Sequence, residues 1–274
     1  MGSSLSGVMF QPPRASVYFR DLIAKESYIW LTTASSKRVP AFYIDRKSST
    51  TILFSHGNAE DIRLIYDWFD EFSKELQVNF FAYEYEGYAD TVGQPGEKSC
   101  YEDADAAYKY LTEILLIKPE QLVLYGRSLG SGPSCYLAER LSKNKVRLGG
   151  LILQSPVLSI YRVAFNFRFT LLGDMFCNID RMPSILCPVF VIHGTKDEIV
   201  PFWNGEELFA AVQKPYRARP LWVQDGGHNN LETLLRQDDI FFNEFREFLT
   251  GWLPSYQNQR DTFEISLANI NSKY

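Results

Sequence analysis

The stretch LVLYGRSLGSGP, Leu122 to Pro133, decides how the rest of the chain reads. The apolar run Leu122 to Tyr125 reads as a buried strand, and a helix follows Ser128 to about Leu141. Between them, Ser128 has a glycine two positions away on each side, Gly126 and Gly130. A nucleophilic serine must present its oxygen at a sharp strand-to-helix turn. Such a turn crowds the residues two before and two after it, so those positions want no side chain. The bare G-x-S-x-G pattern arises by chance in roughly one chain in ten of this length. On its own it also fits a glycine-rich turn that binds phosphate at a helix N-terminus.

Working outward, short apolar runs alternate with longer periodic segments. Tyr28 to Thr33 and Val39 to Ile44 read as a hairpin turning at Ser35, Ser36 and Lys37. Thr51 to Phe54, Val78 to Tyr85, Leu151 to Leu153, Val189 to Ile192 and Pro220 to Val223 read as further strands. Helices are expected over Ile62 to Leu76, from Ser99 to about Ile117, over Glu206 to Val212 and over Leu231 to Leu249. Ser99 with Glu102 has the spacing of a capping box, and Pro119 ends that helix. The stripe Leu231, Leu234, Leu235, Phe241, Phe245, Phe248 and Leu249 is a core face.

Strand and helix in alternation predict an α/β fold, with a mostly parallel sheet, helices on both faces and an antiparallel hairpin at the amino end. The expected organisation is a segment over 1–13, one domain over 14–253 and a polar tail over 254–274. A small cap insertion is expected at about 157–186.

Composition excludes several classes. At 46% hydrophobic and 22% charged, 274 residues suffice for a large core. The formal charge of -5, with no Lys/Arg cluster, argues against nucleic acid as a partner. Cys100, Cys135, Cys177 and Cys187 form no C-x-x-C pair and read as reduced thiols in a cytosolic protein. His56, His193 and His228 lack helical ligand spacing, so no metal is expected. No apolar run approaches the roughly 18 residues of a spanning helix.

A serine nucleophile needs a base, and the base needs an orienting carboxylate. In a fold of this type their chain order is serine, acid, histidine. His193 in HGTKDEIVP and His228 in DGGHNNLE are the two histidines after Ser128. Ser128, Asp197 and His228 fall in that order, each in a loop at a strand's carboxyl end, where open α/β sheets bind ligands. Taken singly, His228 could be a helix-start residue and Asp197 a turn residue. Glu198 and Asp225 compete for the acid's place. For an oxyanion, the expected donors are the backbone N–H groups of Leu129 and of Asn58, in the loop SHGNAED after the strand Thr51 to Phe54. His56 reads as a strand-end residue that holds this loop, and Asp61 as a helix N-terminal residue.

With these residues placed, the chain resembles the α/β-hydrolases, and in particular the family of α/β-hydrolase-domain-containing protein 17. The matching pieces are FQPP, LFSHGNAED, YGRSLGSGP, HGTKDEIVP and GGHNNLE, over roughly residues 10 to 249. The resemblance implies an α/β-hydrolase fold and a serine hydrolase without a cofactor. It places the nucleophile on Ser128, the base on His228 and the acid on Asp197, ahead of Glu198 and Asp225. For the animal members it also implies removal of palmitate from protein cysteines. Glu84 and Ala89 stand where relatives usually show Asp and Gly, and Asn204-Gly205 where they usually show His-Gly. The animal enzymes carry an amino-terminal cysteine cluster, whereas the first cysteine here is Cys100.

MGSSLS fits an N-myristoylation signal on Gly2, with Ser6 in the required place; a cloning scar is the other reading. One myristoyl chain binds membranes only marginally, at about 10⁴ M⁻¹, so the expected association with a cytosolic membrane face is peripheral and reversible. In the cap, Phe165, Phe169 and Leu172 are candidates for lining an acyl-chain groove, with burial against the core as the alternative. The expected substrate is an acylated protein or a lipid ester. Carboxylesterase or lipase action is the second expectation, and a non-catalytic scaffold of hydrolase fold the third.

Overall fold

The computed structural model describes residues 10–13, 28–89, 91–165, 172–236 and 239–254. Eight strands form one sheet: β1 (Ile29–Thr32), β2 (Arg38–Ile44), β3 (Thr51–Ser55), β4 (Asn79–Tyr83), β5 (Leu122–Arg127), β6 (Gly150–Gln154), β7 (Val189–Gly194) and β8 (Leu221–Val223). Their spatial order is β1-β2-β4-β3-β5-β6-β7-β8. β1 pairs with β2, and β2 with β4, antiparallel. Every pairing from β4 through β3, β5, β6 and β7 to β8 is parallel. The hairpin is where the sequence places it, turning through Ser36 at φ 59.

Parallel neighbours need crossovers, and helices supply them. In these crossovers lie α1 (Tyr66–Leu76), α2 (Glu97–Lys109), α3 (Ser131–Lys143), α4 (Ile160–Phe165), α5 (Asn178–Arg181) and α6 (Trp203–Ala211), while α7 (Leu231–Arg236) and α8 (Ile240–Trp252) follow β8. Alternate residues of the central strands point to opposite faces. Leu53, Leu124, Leu151 and Val191 pack with Ala104 of α2 and Leu137 and Leu141 of α3. Ile52, Phe54, Val123, Ile152 and Phe190 pack on the other face with Phe69 and Phe72 of α1 and Phe241 and Phe245 of α8. Both faces are therefore covered, which is why these strands read as continuous apolar runs.

Several element boundaries differ from expectation. Residues 62–65 are turns, so α1 starts at Tyr66; Asp61 accepts the Arg63 N–H of that turn at 2.9 Å. Ser99 does not start α2. Its Oγ sits inside the first turn and accepts the Gly96 N–H at 2.9 Å, while Glu102 accepts the Ser35 N–H of the hairpin turn at 3.1 Å. The single helix expected over Leu231 to Leu249 is two, α7 and α8, with Asp239 at φ 55 before the second. Within the stretch where a cap is expected, the described residues hold α4, α5 and a 3-10 turn at Met182–Ser184. That stretch is tied to the body: Val157 N–H donates to Ser131 Oγ at 3.2 Å, and Leu158 N–H to Asn204 Oδ1 at 3.2 Å. Phe176 is fully buried, edge-on to Phe10 and Tyr101.

Candidate active site

β5 ends in Arg127, and Ser128 follows at φ 52, in the left-handed region, as the first residue of the 3-10 turn Ser128–Gly130 that leads into α3. A non-glycine residue held there stores on the order of 1–3 kcal/mol of backbone strain, which the surrounding packing must hold. The two glycines are the reason the turn closes. A Cβ on Gly126 would lie 2.5 Å from the Gly130 carbonyl oxygen, and one on Gly130 would lie 2.0 Å from the Ser55 carbonyl oxygen. The second contact sets the Ser128 turn directly on the end of β3.

β7 and β8 deliver the other two groups. Ser128 O–H faces His228 Nε2 at 3.0 Å, and His228 Nδ1 lies 2.8 Å from Asp197 Oδ2. The carboxylate can only accept, so Nδ1 carries the proton and Nε2 is left to accept from the serine. Glu198 accepts the His228 backbone N–H at 3.2 Å, and Asp225 pairs with Lys196 at 2.6 Å on the surface. Of the three candidate carboxylates, Asp197 is the one against the imidazole.

Asp197 is itself fixed. Its Oδ1 accepts the N–H groups of Ile199 at 3.0 Å and Val200 at 2.7 Å, and His193 Nε2 lies 3.4 Å from Oδ2. Burial works against the charged carboxylate, yet the hydrogen bonds from His193 and His228 outweigh it. Asp197 is held well below the usual carboxylate range. Gly205 leaves room for the buried His193 ring, since a Cβ there would lie 2.4 Å from Nδ1.

The loop after β3 faces Ser128. Gly57 N–H donates to Glu60 Oε2 at 2.8 Å and so is not available to an oxyanion. Asn58 lines the same cleft as Ser128 and His228. Its side-chain oxygen accepts the Gln11 N–H at 2.9 Å and the Tyr88 O–H at 2.6 Å, which fixes the loop to the FQPP segment. Leu129 is buried behind the serine, in the turn into α3. His56 is fully buried, stacked on Tyr85 with centroids 4.0 Å apart. Its Nδ1 lies 2.8 Å from Gly57 O and its Nε2 2.7 Å from Glu84 Oε1. Nδ1 thus has a hydrogen-bond acceptor and Nε2 a carboxylate at ion-pair distance, surroundings that suit an imidazolium. Burial opposes that charge, but Glu84 outweighs it and raises the His56 pKa.

The cleft over Ser128 encloses about 470 Å³, and polar groups dominate its lining. Glu60, Arg127, Gln154, Ser155 and Glu232 lie there, with Ile199 and Leu231 as its larger apolar side chains. Phe165 and Leu172 do not line it. Both side chains are exposed, Leu172 completely, and so lie apart from the cleft in which an acyl groove is expected. Phe169 and Gly2 lie outside the described residues. Among the described residues no His, Cys, Asp and Glu group is disposed to hold a metal ion.

Arg127, Glu60 and Glu232 are missed by sequence reading. Arg127 sits inside the serine motif, but nothing local announces partners on the loop after β3 and on α7. No protein-family model matches the chain. Among curated proteins, alpha/beta hydrolase domain-containing protein 17B of Xenopus tropicalis is 38% identical over 203 residues, 73% of this chain and 68% of its own length. Alpha/beta hydrolase domain-containing protein 17C of Mus musculus is 34% identical over 239 residues, 86% of this chain and 71% of its own. Among solved structures, an esterase from Pyrococcus furiosus matches with a TM-score of 0.68 at 20% identity, over 89% of this chain and 100% of its own. Mouse alpha/beta hydrolase domain-containing protein 10 matches with a TM-score of 0.56 at 17% identity, over 80% and 99%. At such identities the structural matches establish the α/β-hydrolase fold, and the curated relatives carry the family assignment. The chain belongs to the alpha/beta hydrolase domain-containing protein 17 family.

Proposed function

We propose that this protein is a serine hydrolase of acyl esters or thioesters. The hydrogen-bonded run from Ser128 through His228 to Asp197 is the observation that carries the reading. Ser128 Oγ attacks the acyl carbonyl carbon while His228 Nε2 takes its proton. The Leu129 and Asn58 N–H groups receive the oxyanion, each donor contributing roughly 3 kcal/mol to lowering the barrier. His228 then hands the proton to the departing alcohol or thiol, leaving an acyl-serine. Water, deprotonated by the same imidazole, attacks that ester and releases the acid. Asp197 orients the ring and stabilises its charged form.

Within this reading, the family resemblance supports palmitoyl-protein thioesters as substrates, met at a cytosolic membrane face. An N-myristoylated Gly2 would give the reversible attachment that this requires. The mostly polar cleft supports a second reading, in which short or polar esters are the substrates. Side-by-side rates on a palmitoylated peptide and a short-chain ester separate the two. A Gly2→Ala variant that fractionates with membranes as wild type does would remove the anchor. A fluorophosphonate probe tests the shared chemistry: wild type labels, and Ser128→Ala does not.

A further inference from the structure

Arg127 lies directly before Ser128, yet its side chain turns away along the cleft floor and is only 15% exposed. One nitrogen, Nη2, lies 2.7 Å from Glu60 Oε2, the oxygen that also accepts the Gly57 N–H. The other, Nη1, donates to Glu232 Oε1 at 2.9 Å, in the first turn of α7 just after the His228 loop. The rings of Phe54 and Trp68 flank the guanidinium at 5.4 and 5.6 Å. Gln154 extends the network, donating to Glu232 Oε1 at 3.4 Å while accepting the Tyr125 O–H. Burial disfavours the Glu60 charge, but Arg127 and then His56 outweigh it and keep the carboxyl ionised.

We propose that Arg127 is a positioning residue: its guanidinium ties the serine turn, the Gly57–Asn58 loop and the His228 loop into one body, and so fixes the oxyanion donors relative to Ser128 Oγ. The inference rests on the serine-hydrolase reading and deepens it. A planar fork with two separate N–H edges suits this task, because it meets two carboxylates at fixed angles where an ammonium offers one point charge. Without the guanidinium, Glu60 and Glu232 would share the cleft floor with no cation between them. Their repulsion would pull the Gly57–Asn58 loop and α7 apart, and an ångström of displacement at an oxyanion donor costs up to about 100-fold in rate.

The test compares full-length wild type, Arg127→Gln, Arg127→Lys and Glu60→Gln. Melting temperatures are read alongside kcat and KM on a short-chain p-nitrophenyl ester and inhibition by a trifluoromethyl ketone of the same acyl group. In Arg127→Gln, kcat falls roughly 10- to 100-fold with KM near wild type. Ketone affinity falls by the same factor as kcat/KM, since both report the tetrahedral state. Fluorophosphonate still labels Ser128 to completion, but more slowly. Arg127→Lys recovers part of the loss. Glu60→Gln keeps a neutral acceptor for the Gly57 N–H, moves in the same direction by a smaller factor, and serves if Arg127→Gln does not fold. A folded variant with wild-type kcat and ketone affinity, or one whose whole loss is in KM, overturns the positioning role. Wild type that neither labels nor turns over ester sinks the hydrolase reading itself, and this inference with it.

Discussion

Ser128 can hold its left-handed backbone because its neighbours leave no alternative. Gly130 lies so close to the Ser55 carbonyl that a methyl group would have to push β3 and the serine turn apart. Gly130→Ala is therefore expected to abolish hydrolase activity, and circular dichroism with a thermal melt will show destabilisation of more than about 1 kcal/mol from the steric overlap alone. Asp197 fixes the tautomer that lets His228 accept from the serine. Asp197→Asn keeps the shape but offers the ring an amide; kcat is expected to fall about 10³- to 10⁴-fold, read by steady-state kinetics at neutral pH. Much of this was legible in the sequence, and the limits are specific. Ser128 and His228 announce themselves by local motif and chain order. Asp197 shares its stretch with Glu198, and only a distance to the imidazole separates them. Arg127 with Glu60 and Glu232 was not legible at all, because a strand end, a loop and a helix start distant in sequence must meet before the pairing exists.

At the scale of elements, apolar periodicity read the strands well, because each of β3 and β5 to β7 is buried on both sides. It failed where the stripe stays in phase across a break. Leu234, Leu235, Phe241 and Phe245 look continuous, yet Asp239 at φ 55 separates α7 from α8. α8 packs into a cluster of rings: Phe245 is fully buried, with rings of Phe72, Phe241, Tyr125 and Phe190 within 6 Å of its own. Phe245→Ala is expected to reduce unfolding free energy by about 3–5 kcal/mol in a denaturant titration. Because α8 covers the face of the sheet opposite α2 and α3, kcat of the fraction still folded should stay near wild type. Proportional loss of kcat and stability would instead mean that α8 also positions the site.

Across the whole molecule, Asp197 and His56 are two of the buried groups through which stability responds to pH. Asp197 has its pKa lowered in the folded state. Its contribution is full above the ordinary aspartate value of 3.8 and is lost as pH falls through the lower folded value. His56 is the reverse case: its pKa is raised by Glu84 against burial. Its contribution is full below 6.5 and is lost as pH rises through the raised value. Unfolding free energy measured from pH 6 upward should therefore decline in wild type and decline less in Glu84→Gln; equal slopes would contradict a charged His56. The central claim concerns the meeting of β5, β7 and β8 at one rim, and fluorophosphonate labelling followed by peptide mapping tests it most directly. The account predicts a single adduct on Ser128 in wild type, absent in Ser128→Ala and strongly slowed in His228→Ala. An adduct elsewhere, or labelling of Ser128 at an undiminished rate without His228, would contradict it.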